Sequence, residues 1–204
     1  MLFDDSYFTI QKASEGVFKD RGSKFLGFAF PVKTEAEIKE IISQLKKEHH
    51  GANHHCYAWR LGADKAAYRA NDDGEPNNSA GKPILGQIQS KDLTDVLIVV
   101  ARYFGGTLLG VSGLINAYRE AAADALKNAE IIEKHILFQY RVEFSFEQMN
   151  SVMRVLRDNH CKIISNDYES NCVIIFDVRK SYNDQVEEQI LKLTPIKFTY
   201  LKTH

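Results

Sequence analysis

Hydrophobic and polar residues alternate most regularly near the C-terminal end of the chain. Phe138, Tyr140, Val142, Phe144 and Phe146 are separated by Gln139, Arg141, Glu143 and Ser145, and this period of two predicts a strand with one buried face. Ser145 followed by Gln148 has capping-box spacing and opens a helix. In that helix Met149, Val152, Met153 and Leu156 fall at i, i+3, i+4 and i+7, one apolar stripe. A strand over residues 163–168, a turn around Glu169-Ser170-Asn171 and the apolar run Cys172-Val173-Ile174-Ile175-Phe176 follow. A second helix carries Val186, Ile190 and Leu193, and a last strand alternates Ile196, Phe198 and Tyr200. The predicted order, β-α-β-β-α-β, is the split-βαβ arrangement of ferredoxin-like domains.

The first 134 residues are less regular. Residues 7–10 and 25–32 read as strands, with Gly16, Gly22 and Gly27 supplying turns or bulges. Thr34 and Glu37 form another capping box, and Ile38, Ile41, Ile42 and Leu45 give the helix behind it a core face. Residues 55–61 and 95–104 read as strands, the second central because it is apolar on both faces. After Gly110, Leu114, Ile115, Tyr118, Ala121, Ala122 and Ala125 form the inner face of a further helix. Residues 128–136 are the expected junction, so the pattern predicts an α+β protein with domains at 1–134 and 135–204.

Composition narrows the function classes. Lys plus Arg is 26 and Asp plus Glu is 27, a formal net charge of -1. Residues 136–204 hold nine basic and nine acidic side chains, leaving 17 and 18 for the rest. A domain basic throughout, the simplest nucleic-acid signature, is excluded, and a local basic patch is not. Cys56, Cys161 and Cys172 are too few and too scattered for a disulfide framework. The start, Met1-Leu2-Phe3-Asp4-Asp5, lacks the basic and apolar regions of a signal peptide. The expectation is a reduced, cytoplasmic protein.

Residues with chemical potential concentrate between His49 and Gly113. The polar stretch from Arg69 to Pro83 is long for a loop inside a compact domain, and such loops are usually functional or disordered. Within it Asp72, Asp73 and Glu75 are flanked by Arg69 and Lys82. Oxygen ligands at that density can hold Mg²⁺ or Ca²⁺; alternatively, the carboxylates form an Asx-type turn and cap a neighbouring helix. Ser79-Ala80-Gly81-Lys82 matches the S-x-x-K pattern of serine acyl-enzymes, but without its S-D-N and K-T-G companions. The reading is that Ser79 caps a helix. The segment Arg102-Tyr103-Phe104-Gly105-Gly106-Thr107-Leu108-Leu109-Gly110 leaves a central strand and enters a helix, where exposed N–H groups favour an anion. It fits no nucleotide fingerprint. His49, His50, His54, His55 and Cys56 invite a zinc reading, yet His55 and Cys56 on a strand point to opposite faces. A single histidine acting in a polar cleft is the expectation.

These segments carry a resemblance. Asp72-Asp73-Gly74-Glu75-Pro76, Ala80-Gly81-Lys82-Pro83-Ile84-Leu85, the Arg102–Gly110 segment and Ala52-Asn53-His54-His55-Cys56-Tyr57-Ala58 resemble the signature of the Impact/YigZ family in its bacterial two-domain form. The resemblance implies an N-terminal domain similar to the second domain of a small-subunit ribosomal protein. That fold is shared with the GHMP kinases and contains a left-handed βαβ crossover. It also implies a C-terminal domain similar to a late ferredoxin-like domain of elongation factor G. Eukaryotic members act in translational control through an additional N-terminal domain, and that role does not carry over to these 204 residues. For bacterial members the resemblance implies RNA, ribosome or other nucleic-acid association and supplies no established catalytic residue. The chain departs from the pattern at Asn77-Asn78-Ser79, where Ser-Gly-Thr is usual, and at Val111-Ser112, where Thr-Gly is usual.

Two function classes follow. The first is a protein that binds structured RNA or a ribosomal component through a cleft. That cleft comprises His54, Arg69, Asp72, Asp73, Glu75, Lys82, Arg102, Tyr103, Gly105, Gly106 and Gly110, its cations meeting phosphate and Tyr103 or Phe104 stacking on a base. The second is a metal-assisted enzyme acting on a small phosphorylated or nucleotide substrate with the same carboxylates, histidine and glycine-rich segment; no cofactor is required by the sequence, and Mg²⁺ is the metal its carboxylates would suit.

Overall fold

A computed structural model describes residues 5–168 and 171–204, so the turn expected around Glu169 and Ser170 falls outside the described residues. Residues 8–133 form one compact unit, and residues 5–7 with 134–204 form another. Both mix helices with antiparallel strands, as the α+β expectation requires. Among the described residues no helix is long and apolar enough to cross a membrane.

The strands β1 (Ser6–Ile10) and β7 (Ile131–His135) make a separate two-stranded sheet. In the larger unit β2 (Ser14–Asp20), β3 (Ser23–Pro31), β4 (His54–Leu61), β5 (Ala67–Asn71) and β6 (Val96–Tyr103) form a sheet in the order β2-β3-β6-β4-β5, every neighbour antiparallel. The central strand is apolar on both faces because both are covered. Val96, Ile98 and Val100 join one core with α2 (Gly81–Ser90) and α3 (Gly110–Lys127). Leu97, Val99 and Ala101 join a second core with α1 (Glu35–Glu48). The Thr34 hydroxyl accepts the Glu37 N–H at 3.2 Å, and the Glu37 carboxylate accepts the Thr34 N–H at 3.3 Å, which completes the expected capping box.

Three details differ from the sequence reading. Gly16 and Gly27 are not turn residues; they sit directly opposite each other in β2 and β3. A β-carbon at Gly16 would lie 2.2 Å from the Ala125 nitrogen, and one at Gly27 2.5 Å from the Ala121 oxygen. The two glycines and the alanines of α3 therefore let helix and sheet backbones touch. Ile115, expected on the inner face of α3, is exposed, and Ala117 is buried there instead. Residues 128–136, expected as a plain junction, contain β7.

In the smaller unit β8 (Leu137–Phe144), α4 (Met149–Asp158), β9 (Lys162–Asp167), β10 (Cys172–Arg179), α5 (Asn183–Leu191) and β11 (Lys197–Thr203) follow the predicted β-α-β-β-α-β sequence. The antiparallel sheet order is β11-β8-β10-β9, the split-βαβ order. Tyr140, Val142 and Phe144 meet Val152, Leu156, Val186 and Ile190 in its core. The Ser145–Gln148 capping box forms around a 3₁₀ turn that precedes α4, and Phe146 consequently leaves the strand and is exposed. Asp5 belongs to this unit because its carboxylate accepts the Ser181 N–H at 2.8 Å and pairs with Arg179 at 2.7 Å.

The backbone contact at Gly27 sets a direct test. Gly27→Ala has no flexible side chain to displace, so it should cost about 2 kcal/mol, as overpacking of a close-packed interior does. Urea unfolding should show a lower midpoint with an unchanged slope.

Candidate functional site

The start of β4 and the end of β6 are paired, with His54 directly opposite Arg102. The loop after β5 folds back over this end of the sheet. Asp73 and Gly74 adopt positive φ angles of 41° and 89°, which turn the chain sharply. This turn sends three neighbouring carboxylates in three directions. Asp72 accepts the Asn78 N–H on one oxygen and the Ala80 and Gly81 N–H groups on the other, at 2.8–3.0 Å. It thereby caps α2. Ser79, expected as that cap, instead donates its hydroxyl to the Pro76 carbonyl. A side chain at Gly81 would strike the Asn71 backbone, 2.5 Å from its nitrogen, which explains glycine at the first position of the helix.

Asp73 faces the opposite way. One of its oxygens accepts the His55 N–H at 2.7 Å, the other pairs with Lys46 of α1 at 3.0 Å, and its carbonyl meets His54 Nδ1 at 2.8 Å. Glu75 enters the core. Its Oε1 accepts from Arg102 Nη1 at 2.5 Å and from the Tyr118 hydroxyl at 2.7 Å, and His54 Nε2 stands 4.0 Å away. Glu75 is 8% exposed, Arg102 6% and Tyr118 0%, so this is a buried, mutually satisfied ion pair. The Arg102 guanidinium lies 5.6 Å from the Phe25 and Phe104 ring centres, within cation–π range of both. Its Nε is buried with no hydrogen-bond partner.

Burial also decides the protonation states around the network. It raises the Tyr118 phenol far above its ordinary value, which keeps the hydroxyl a neutral donor to Glu75. Burial pushes the Cys56 thiol up to about 12, and its Sγ–H donates to the Asp72 carbonyl at 3.0 Å. Cys56 is thus a buried hydrogen-bond donor and not an activated nucleophile. His55 lies on the other face of β4, where burial lowers its pKa below 6.5 against the opposing pull of Asp73.

The sequence candidates divide accordingly. His54, Asp72, Asp73, Glu75 and Arg102 come together. Tyr103 points to the opposite sheet face, where its hydroxyl meets His49 Nδ1 at 2.9 Å. Arg69 is exposed on the edge strand β5 across from Trp59, on the α1 side of the sheet, and Lys82 is exposed in the first turn of α2. Arg69 thus lies on the face of the sheet opposite Arg102, and Arg102 is committed to Glu75. Gly105 presses on the β2–β3 turn, where a β-carbon would lie 1.9 Å from the Gly22 carbonyl carbon. Gly106 and Gly110 take positive φ in open surroundings at the entry to α3. Among the described residues no three His, Cys, Asp or Glu side chains are grouped to hold a metal ion. In the sequence Tyr118 reads only as part of an apolar stripe. Its signal is a single phenol among Ala117, Ala121, Ala122 and Ala125.

The family described as the Impact N-terminal domain matches residues 21–126. The chain is 31% identical over 189 residues to the IMPACT family member YvyE of Bacillus subtilis, covering 93% of this chain and 87% of that protein. It is 36% identical over 134 residues to the IMPACT family member YigZ of Escherichia coli, covering 65% and 66%. It is 40% identical over 96 residues to the protein IMPACT homolog of Saccharomyces cerevisiae, covering 45% and 36%. A solved structure described as the crystal structure of an hypothetical protein has the same fold, with a TM-score of 0.74, 25% identity and coverage of 98% and 99%.

Two measurements test this electrostatic description. Arg102→Met leaves the Glu75 carboxylate buried without its cation and should cost about 3 kcal/mol in denaturant unfolding; adding Glu75→Leu should recover most of that loss. His55 has a lowered folded-state pKa, so the unfolded chain binds its proton more tightly. Its contribution is present above pH 6.5 and lost as pH falls below that value. His55→Gln should flatten the acid-side decline in stability over that window.

Proposed function

This chain belongs to the Impact family, and on that premise we propose that it is a binding protein for structured RNA or a ribosomal component, linked to the regulation of translation. The observation that carries the reading is the inward closure of the polar network. Asp72 is spent on the α2 N–H groups, Asp73 on Lys46 and the His55 N–H, and Glu75 on Arg102 and Tyr118. Residues that would serve acid–base or phosphoryl chemistry instead hold the loop, β6 and α3 in fixed relation. Such a rigid scaffold suits recognition, while exposed cations such as Arg69 and Lys82 face outward.

The family resemblance supports the same reading. It likens residues 1–134 to the second domain of a small-subunit ribosomal protein, with a left-handed βαβ crossover, and residues 135–204 to an elongation factor G domain. Both likenesses are to components of the translation machinery. Fold alone does not fix function, so the proposal needs a binding test.

Purification of the tagged full chain after ultraviolet crosslinking should recover RNA fragments, and the uncrosslinked complex should dissociate as salt is raised. The opposite pattern would overturn the reading: no crosslinked RNA, together with a thermal shift by one nucleotide or phosphometabolite in the presence of Mg²⁺.

A further inference from the structure

One groove in the larger unit carries charge that the buried network does not use. The helix α1 packs its Ile38 and Leu45 over the centre of the sheet, against Phe28, Trp59 and Leu97, and no residue of β5 joins that core. Four of the five residues of this edge strand are exposed. A groove of about 450 Å³ runs along the flank of α1 beside β4, lined by Lys39, Ile42, Ser43, Lys46, Lys47 and Tyr57. Half of the lining residues are lysines and none is acidic.

The sequence of α1 sorts its charges to produce this flank. Positions 39, 42, 43, 46 and 47 follow helical spacing and share one side. Glu37 and Glu48 fall on the far side, where they are engaged by the Thr34 cap and by Gln44. Glu35 shares the basic side one turn before Lys39, and Glu40 borders it next to Lys47; both are outside the lining. Lys46 is tied to Asp73, whereas Lys39 and Lys47 have no ion pair among the described residues. Arg69 continues the basic surface, because its pairing with Trp59 places it on the same face of the sheet as Tyr57. Lys39 and Lys47 are separated by about 12 Å of helical rise, which suits two phosphates spaced along a chain better than one phosphate group.

We propose that this groove on the flank of α1, beside β4, is the contact surface for a single-stranded RNA segment. Lys39, Lys47 and Arg69 contact its phosphates, and the half-buried Tyr57 ring offers a stacking surface for one base. The proposal rests on the RNA-binding function above and moves its contact surface from the Arg102 cleft to the opposite face of the sheet.

The test is fluorescence anisotropy of the full chain with a fluorescein-labelled uridine 12-mer and, in parallel, a labelled pool of fragmented total RNA, across a salt series. Lys39→Ala with Lys47→Ala should weaken binding at least about tenfold and reduce the slope of log K against log salt by about 1.4, two phosphate contacts on a single strand. Tyr57→Leu should weaken binding about tenfold while Tyr57→Phe retains it, and Lys127→Ala, at the exposed end of α3 on the other face, should change nothing. Both lysines are exposed, so the double variant keeps the fold and carries the test even where Tyr57→Leu does not fold. RNA binding with unchanged affinity and salt slope in the double lysine variant overturns the groove and leaves the RNA-binding function standing. A wild-type chain that binds neither RNA probe overturns both.

Discussion

A carboxylate and a guanidinium taken out of water remain ionised only by satisfying each other, and the larger unit is organised around one such pair. Glu75 comes from the loop after β5 and Arg102 from the end of the central strand. Tyr118, from the third turn of α3, adds its hydroxyl to the same carboxylate oxygen. Three elements far apart in the chain are thus held at one atom, in surroundings where removing any partner strands a buried polar group. The positive φ angles at Asp73 and Gly74 make sense in this setting. They bring Glu75 into the core while Asp72 remains outside it to cap α2, so one turn serves both an ion pair and a helix terminus.

That arrangement requires α3 to lie close on the sheet, and the small residues supply the approach. Gly16 and Gly27 oppose each other in adjacent strands beneath Ala121 and Ala125, where a single β-carbon would meet helix backbone. Tyr118 can reach Glu75 because the next turns of its helix are only alanine-deep. The helix then fits the sheet by shape and is pinned by the hydrogen bond, and neither contact by itself would fix its position along the strands.

The parts of this structure legible in the sequence are those governed by local periodicity. The alternation after Phe138, the two-sided apolar run of β6 and both capping boxes are intrastrand or intrahelical patterns, and each corresponds to an element. β5 escaped because all but one of its residues are exposed at a sheet edge, which leaves no apolar–polar alternation to read. β2 was obscured by Gly16, whose role is to admit a helix and not to turn the chain. In the site, residue types marked out His54, Asp72, Asp73, Glu75 and Arg102, which do converge. Their partners did not announce themselves: Glu75 meets Arg102 across 27 positions and Tyr118 across 43. Periodicity carries no information at that separation. Tyr103 is the converse case: it adjoins Arg102 in sequence, and strand alternation by itself sends it to the opposite face.

The near-zero net charge acquires a different meaning once its members are located. A formal count of 26 basic and 27 acidic side chains weighs each charge equally, but a polyanion in solution responds to charges according to their depth and partners. The three acids of the 72–75 turn are engaged by backbone N–H groups, Lys46, Arg102 and Tyr118, and Glu75 is removed from the surface altogether. On the α1 flank the sorting runs the other way, with Lys39 and Lys47 exposed and Glu37 and Glu48 turned aside. A balanced sequence can therefore present a locally basic surface without excess cation, provided its acids are used as caps and core partners. That division of labour makes a neutral composition compatible with the proposed phosphate recognition, at a surface where helical spacing, rather than the signature loop, gathers the charge.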